Sequence, residues 1–177
     1  MNVLELGCGS GELHSYWAPN WVSYLGVDFS PRMLKRFRDR HHGVTLTCAD
    51  ICTLPLRLAR YDLIFANGVF QYLDRESARD ALTEIRRLMA HETVVVIAGI
   101  PDWNRRLAFY AGLANAGGFS ARRLVFSVLN ALRGFDGIGH WHTRSSLEAF
   151  ARDLSLRAEF VDSRTYAYRF HVRLSCS

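Results

Sequence analysis

Apolar positions along this chain alternate between short unbroken runs and residues spaced three and four apart, the marks of buried strands and of amphipathic helices. Val3, Leu4 and Leu6 form the first run; Gly7, Gly9 and Gly11 follow, and a short helix is predicted over Glu12–Trp17, closed by Pro19. Trp21–Val27 reads as the second strand. Ser30 stands where a helix cap belongs, with Pro31 at the first helical position and Met33, Leu34 and Phe37 as the buried stripe. Val44–Cys48 is the third strand, and Tyr61–Asn67, almost continuously apolar, is the fourth, as expected of a central parallel strand covered on both faces. Asp74 then caps a helix whose Ala78, Ala81, Leu82, Ile85, Leu88 and Met89 share one face. Thr93–Ala98 is the fifth strand, after which Gly99-Ile100-Pro101 releases the chain.

Strand and helix alternating in this way require right-handed crossovers and a doubly wound α/β sheet. Between Asp102 and Gly139 the pattern loosens into apolar helical segments, Leu107–Ala116 and Leu124–Leu132, punctuated by Gly117-Gly118 and arginine pairs. A capping box, Ser145 to Glu148, opens a further helix with Leu147, Phe150, Ala151 and Leu154 on its apolar face. Arg157–Val161 and Tyr166–Leu174 close the chain as a hairpin. The expected organisation is one domain over 1–177, with 102–143 as an insertion on the crevice side of the sheet, placed to act as a lid.

Composition narrows the setting. At 177 residues, 49% of them hydrophobic, the chain is long enough for a substantial core. Cys8, Cys48, Cys52 and Cys176 make neither a Cys-x-x-Cys pair nor an evenly spaced framework, which fits a reducing, cytoplasmic setting. Glu5 and the glycines interrupt any signal-peptide core, and no apolar run approaches the roughly 18 residues of a spanning helix. The net charge of +5 comes from arginines clustered around Arg36–Arg40, Arg86-Arg87, Arg105-Arg106 and Arg122-Arg123. These read as solvated helix faces or as a field that steers an anionic partner, with nucleic acid as the lesser alternative because no stacking-aromatic motif accompanies them.

The chemistry gathers at strand ends. A strand running into Gly7-x-Gly9-x-Gly11 makes a crevice where backbone can approach a nucleotide-like ligand. The spacing departs from the Gly-x-Gly-x-x-Gly of dinucleotide sites, and Glu5 suits a ligand with a positive group better than a pyrophosphate. Asp28 follows about twenty residues on, where a carboxylate accepts from both hydroxyls of a ribose. Val3–Gly11 and Asp28-Phe29-Ser30-Pro31 thus resemble the first two motifs of the class I S-adenosylmethionine-dependent methyltransferases, and Asp50-Ile51 and Asn67–Leu73 resemble the third and fourth.

That resemblance implies a Rossmann-like, mostly parallel seven-stranded sheet in the order 3-2-1-4-5-7-6 with a terminal antiparallel hairpin. It implies S-adenosylmethionine as cofactor and S-adenosylhomocysteine as product. Phe29, Met33 and Ile51 would flank the adenine, Asp50 would accept from its amino group, and Asn67 would hold the methionine part. Gln71 and Tyr72 would stand nearest the transferred methyl, although glutamine cannot serve as a base where many relatives carry histidine. His142, from Gly139-His140-Trp141-His142-Thr143, is the remaining candidate base; His-x-His also invites a metal reading, but no third ligand supports one, and no metal is expected. Family members usually carry a helix ahead of the first motif, whereas here the first strand begins at Val3, so an incompletely walled site is expected.

The implied function is methyl transfer to oxygen or nitrogen of a small-molecule acceptor, anionic or apolar, such as a sugar, a lipid-linked intermediate or a secondary metabolite. A non-catalytic methyltransferase-like subunit and an RNA methyltransferase are the alternatives, and a homodimer stays open.

Overall fold

The computed structural model describes residues 1–17, 21–57, 60–111, 125 and 137–177. Its described residues form a seven-stranded sheet in the order β3-β2-β1-β4-β5-β7-β6. The strands are β1 (Asn2–Leu6), β2 (Ser23–Asp28), β3 (Thr45–Cys48), β4 (Leu63–Asn67), β5 (Val94–Pro101), β6 (Leu156–Asp162) and β7 (Arg169–Cys176). The first five pair in parallel, while β7 lies antiparallel to both β5 and β6. The expected order and the antiparallel hairpin are both present.

Parallel strands need helices on the faces of the sheet, and the sequence supplies them with caps. Helix α1 covers only His14–Trp17, two residues shorter at its start than expected. Helix α2 (Pro31–Arg40) begins at Ser30, whose side chain accepts from Met33 N, and it buries Leu34 and Phe37. Helix α3 (Arg75–Leu88) begins at Asp74, whose Oδ1 accepts from Ser77 N at 2.8 Å, and it turns Ala78, Ala81, Leu82, Ile85 and Leu88 into the core. These residues pack with Leu4, Leu6, Ile64, Val95, Ile97 and Ile100 of the central strands and with Phe170, Val172 and Leu174 of β7. Strand β7 alternates between those buried side chains and the polar Arg169, His171 and Arg173, so its second face is left for chemistry.

Two local expectations are corrected. Strand β5 does not release the chain at Gly99: it runs on to Pro101, with a register shift between Ile97 and Ile100 that lets the strand keep pairing with Phe170 and Arg169. Such a bulge bends a strand and redirects its polar groups. The helix after the insertion, α5 (Arg144–Asp153), is capped by Thr143 rather than Ser145; Thr143 Oγ1 accepts from Ser146 N at 3.1 Å, so no reciprocal box with Glu148 forms. Of the helices expected in the insertion, α4 (Arg106–Tyr110) is described, while the second half of Leu107–Ala116 and all of Leu124–Leu132 but Val125 lie outside the described residues. Among the described residues no helix is long and apolar enough to cross a membrane.

Candidate active site

The ends of β1, β2, β3 and β4 bring Gly7, Gly9, Gly11, Asp28, Asp50 and Asn67 to one edge of the sheet. Gly7 and Cys8 donate to Val27 O at 2.7 and 3.0 Å, which folds the loop back over the end of β2. The Asp28 carboxylate, itself 7% exposed, then fixes the loop: Oδ2 accepts from Gly9 N at 2.9 Å and Oδ1 from Ser30 N at 2.8 Å. Each oxygen keeps one acceptor position, the number a vicinal diol would use.

A cleft of about 210 Å³ lies against this loop, lined by Glu5, Gly7, Cys8, Gly9, Ser10, Met33 and Asn67 among others. Glu5 is buried at its floor and accepts from the Tyr24 hydroxyl at 2.7 Å. Burial raises its pKa to about 7, against the lowering effect of the Tyr24 bond, and the nearby Asp28 raises it further. Among the described residues no cation pairs with it. A carboxylate so placed suits a ligand that brings its own positive charge. Of the other residues expected at the cofactor, Phe29 is exposed beside Asp28, Met33 lines the cleft, Ile51 is buried, and Asp50 is exposed with Oδ1 accepting from Cys52 N at 2.9 Å.

A second cleft, about 540 Å³, opens on the other side of Asn67 and includes Asn67, Gly68, Gly99, Asp162, Arg164, Tyr166, Arg169 and His171 in its wall. Asn67 is common to both clefts. Gly99, at the bulge in β5, has φ +73°, and a Cβ there would stand 3.3 Å from Asn67 Oδ1, so only glycine fits this close approach without strain. The bulge aims the Gly99 backbone at β7: Gly99 N donates to His171 Nδ1 at 3.0 Å, and Arg169 Nη1 donates to Gly99 O at 2.8 Å. Arg169 Nη2 donates to Gln71 Oε1 at 2.8 Å. Its guanidinium also lies 5.2 Å from the Tyr168 ring centre and 5.6 Å from that of Tyr166. Among the described residues, neither Arg164 nor Arg169 has a carboxylate partner, whereas Arg173 on the same strand face pairs with Glu159 at 3.1 Å. Asp162, the carboxylate in this wall, is held by Arg144 and Arg105, whose hydrogen bonds keep its pKa below the usual range.

The remaining catalytic candidates are redistributed by the structure. Tyr72 is exposed, on the 3-10 turn Phe70–Tyr72 that follows β4. Gln71, on the same turn, is committed to Arg169 through its side chain and accepts from His140 N at 2.7 Å through its backbone. His142 is enclosed and lines neither of the two clefts. It is 4% exposed, its Nε2 lies 2.8 Å from Phe70 O, and its backbone donates to Pro101 O and accepts from Trp103 N, both at 2.9 Å. Burial lowers its pKa and favours the neutral ring, whose Nε2–H donates to the carbonyl and leaves Nδ1 as the unprotonated nitrogen. It ties the returning insertion to the turn after β4. Arg169, His171 and Gly99 were missed from sequence; the signal available was the alternation Arg169-Phe170-His171-Val172-Arg173-Leu174, which sets basic side chains on one face of a strand that is buried on the other.

Comparison with known proteins agrees with this geometry. The family described as "Methyltransferase domain" matches residues 3–92. The malonyl-[acyl-carrier protein] O-methyltransferase of Enterobacter lignolyticus is 29% identical over 137 residues, covering 75% of this chain and 54% of that protein. The trans-aconitate 2-methyltransferase of Methylobacterium nodulans is 28% identical over 193 residues, covering 90% of this chain and 74% of that protein. The chain spans about half the length of the first of these. An S-adenosylmethionine-dependent methyltransferase from Clostridium acetobutylicum superposes with a TM-score of 0.74 at 15% identity, over 99% of this chain and 84% of that one. By family match, sheet order and the loop between β1 and α1, the chain belongs to the methyltransferase-domain family, the class I S-adenosylmethionine-dependent methyltransferases.

Proposed function

We propose that this chain binds S-adenosylmethionine in the glycine-loop cleft and directs methyl transfer to an oxygen of a small-molecule acceptor that carries a carboxylate. The observation that carries this reading is the meeting of two clefts at Asn67, one floored by a carboxylate that no cation pairs with, the other walled by two arginines without carboxylate partners, in both cases among the described residues. The names of two relatives point the same way, since malonyl and trans-aconitate groups are both carboxylates.

The residues of the first cleft fit the cofactor. A Cβ at Gly9 would meet nothing within 4 Å, so the loop borders open space, and the buried Glu5 has among the described residues no cation of the kind an amino-acid ammonium would bring. In this reading Glu5 meets that ammonium, the free acceptor positions of Asp28 take the ribose hydroxyls, Phe29, Met33 and Ile51 flank the adenine, Asp50 accepts from its amino group, and Asn67 holds the methionine part. When bound, the cofactor supplies an electrophilic methyl group on a sulfonium.

The acceptor's chemistry then sets what the protein must do. A carboxylate oxygen is ionised at neutral pH, forms the new bond to carbon without losing a proton, and leaves the electrons of the broken bond on sulfur. No general base is needed, which suits a site where Gln71 is bonded to Arg169 and His142 is enclosed. Arg164 and Arg169 draw in the anion, while the Phe70–Tyr72 turn, clasped by His140 and His142, fixes the wall it rests on. Holding the two reactants in line removes roughly 7–11 kcal/mol of barrier.

The test is incubation with methyl-labelled S-adenosylmethionine and, in separate reactions, trans-aconitate and a malonyl thioester. Label in a base-labile methyl ester is expected. Label in an amine or in nucleic acid, or turnover of neither acid, would overturn the assignment.

A further inference from the structure

The imidazole of His171, in the wall of the second cleft, is used by neither the family motifs nor the proposed mechanism, and its chemistry is set by the bulge in β5. A backbone amide always donates, so the 3.0 Å bond from Gly99 N obliges Nδ1 to be the unprotonated nitrogen of the ring. The single proton of the neutral imidazole is therefore on Nε2, which has no partner among the described residues, on a ring that lines the cleft. Four observations converge here: the glycine that makes the approach possible, the amide that fixes the tautomer, Arg169 two residues away on the same strand face, and Asn67 across the cleft.

We propose that His171 is a specificity-determining residue of the acceptor site, presenting a fixed Nε2–H that donates to a carboxylate oxygen of the acceptor beside Arg169, and that it does not act as a base. This rests on the reading of the second cleft as the acceptor site. A donor at this point favours acceptors that arrive already ionised. A neutral hydroxyl or amine can accept the same bond, but it brings no charge, so it gains less from Nε2–H and from the neighbouring guanidinium than a carboxylate oxygen does. Burial of the ring, which lowers its pKa, holds it in the neutral form. Around it stand the cations Arg164 and Arg169 and, already neutralised by Arg105 and Arg144, the carboxylate of Asp162. The positive surroundings oppose a second proton on the ring and attract an anion, so the donor and the arginines select the same chemistry.

The experiment compares His171→Gln, His171→Asn and His171→Phe with the wild type. Glutamine's amide nitrogen sits at the position of Nε2 and keeps a donor in the cleft; asparagine's is placed nearer Nδ1; phenylalanine keeps the ring and has no donor. Trans-aconitate and malonate are titrated calorimetrically onto each protein saturated with S-adenosylhomocysteine, whose own binding is measured first. The proposal expects His171→Phe and His171→Asn to weaken acid binding about tenfold, the loss of one hydrogen bond to a charged group, and His171→Gln to recover most of it. It expects the pH profile of wild-type turnover to be flat through the imidazole range. Equal loss in all three variants, or turnover that rises through the imidazole range and is abolished in His171→Gln, would overturn it in favour of a structural or a basic role. Wild-type protein that binds S-adenosylhomocysteine and neither acid would overturn the inference while leaving the cofactor site standing; protein that binds no S-adenosylhomocysteine would overturn the functional reading itself.

Discussion

Arg169 and Gln71, 98 positions apart in sequence, are joined by a 2.8 Å hydrogen bond from Nη2 to Oε1, and the same guanidinium donates through Nη1 to Gly99 O at 2.8 Å. One planar fork thus holds the turn after β4 to the bulge of β5 and leaves its charge beside the acceptor cleft. Arg169→Lys keeps the charge and loses the fork, because an ammonium is a compact point charge. Its kcat/KM is expected to fall about 100-fold, the cost of misplacing a reacting wall by an ångström, with binding of S-adenosylhomocysteine unchanged. Equal losses in cofactor binding and in turnover, measured by calorimetry and steady-state kinetics, would contradict this division.

Glu5 makes cofactor binding depend on pH. Its carboxyl, raised to about 7 mainly by burial, is protonated below that value and cannot pair with an ammonium. Affinity for S-adenosylmethionine is expected to rise about tenfold per pH unit up to pH 7 and then level off, as expected when binding requires the loss of one proton. Glu5→Gln removes the dependence. Calorimetric titrations at about pH 6, 7 and 8, one unit on either side of that midpoint, check the slope.

The same carboxyl sets a stability trend. A folded-state pKa above the unfolded 4.5 means that the native chain holds the proton more tightly, so the contribution is complete below pH 4.5 and is lost as pH rises toward about 7. The loss is roughly 3 kcal/mol, and Glu5→Gln, which needs no deprotonation, is expected to exceed the wild type in stability at pH 8 by an amount of that order. Urea titrations at pH 5 and pH 8, on either side of the transition at about 7, read it directly.

Gly139 lies where the chain returns from the insertion, at φ +100°, and a Cβ there would run into the carbonyl of Gln71. Gly139→Ala is expected to push residues 139–142 off the Phe70–Tyr72 turn, breaking the bond from His140 N to Gln71 O. The cost is about 1–3 kcal/mol of stability together with lost turnover, while the cofactor cleft stays intact. Unchanged thermal stability and kinetics would show that this clasp does not hold the acceptor wall.

The gathering of residues at the proposed cofactor cleft was legible in the sequence because it is local. Glu5, the three glycines, Asp28 and Asn67 sit at strand ends that hydrophobic runs mark out, and parallel pairing through right-handed crossovers leaves one way to align those ends. The acceptor half is non-local. Whether Arg169 and His171 face the cleft depends on the register of β7 against β5, and that register is moved by the bulge between Ile97 and Ile100, which no spacing rule places. The enclosure of His142 was illegible for a related reason. Histidine near a family motif suggests a base, yet burial and the carbonyl of Phe70 use its ring, and both arise from where the insertion returns to the sheet. The cap at Thr143 in place of Ser145 is a shift of two residues between neighbouring hydroxyls that differ little in capping strength.

The measurement that tests the central claim most directly is calorimetric titration of this chain with S-adenosylhomocysteine, beside Asp28→Ala. In the wild type the Asp28 carboxylate orders Gly9 N and Ser30 N and keeps two acceptor positions for the ribose. The account predicts one site per chain, with affinity lowered at least about 100-fold in the variant, the loss of two hydrogen bonds to a charged acceptor. A folded wild-type chain that binds no S-adenosylhomocysteine, or a variant that binds it as well as the wild type, would contradict it.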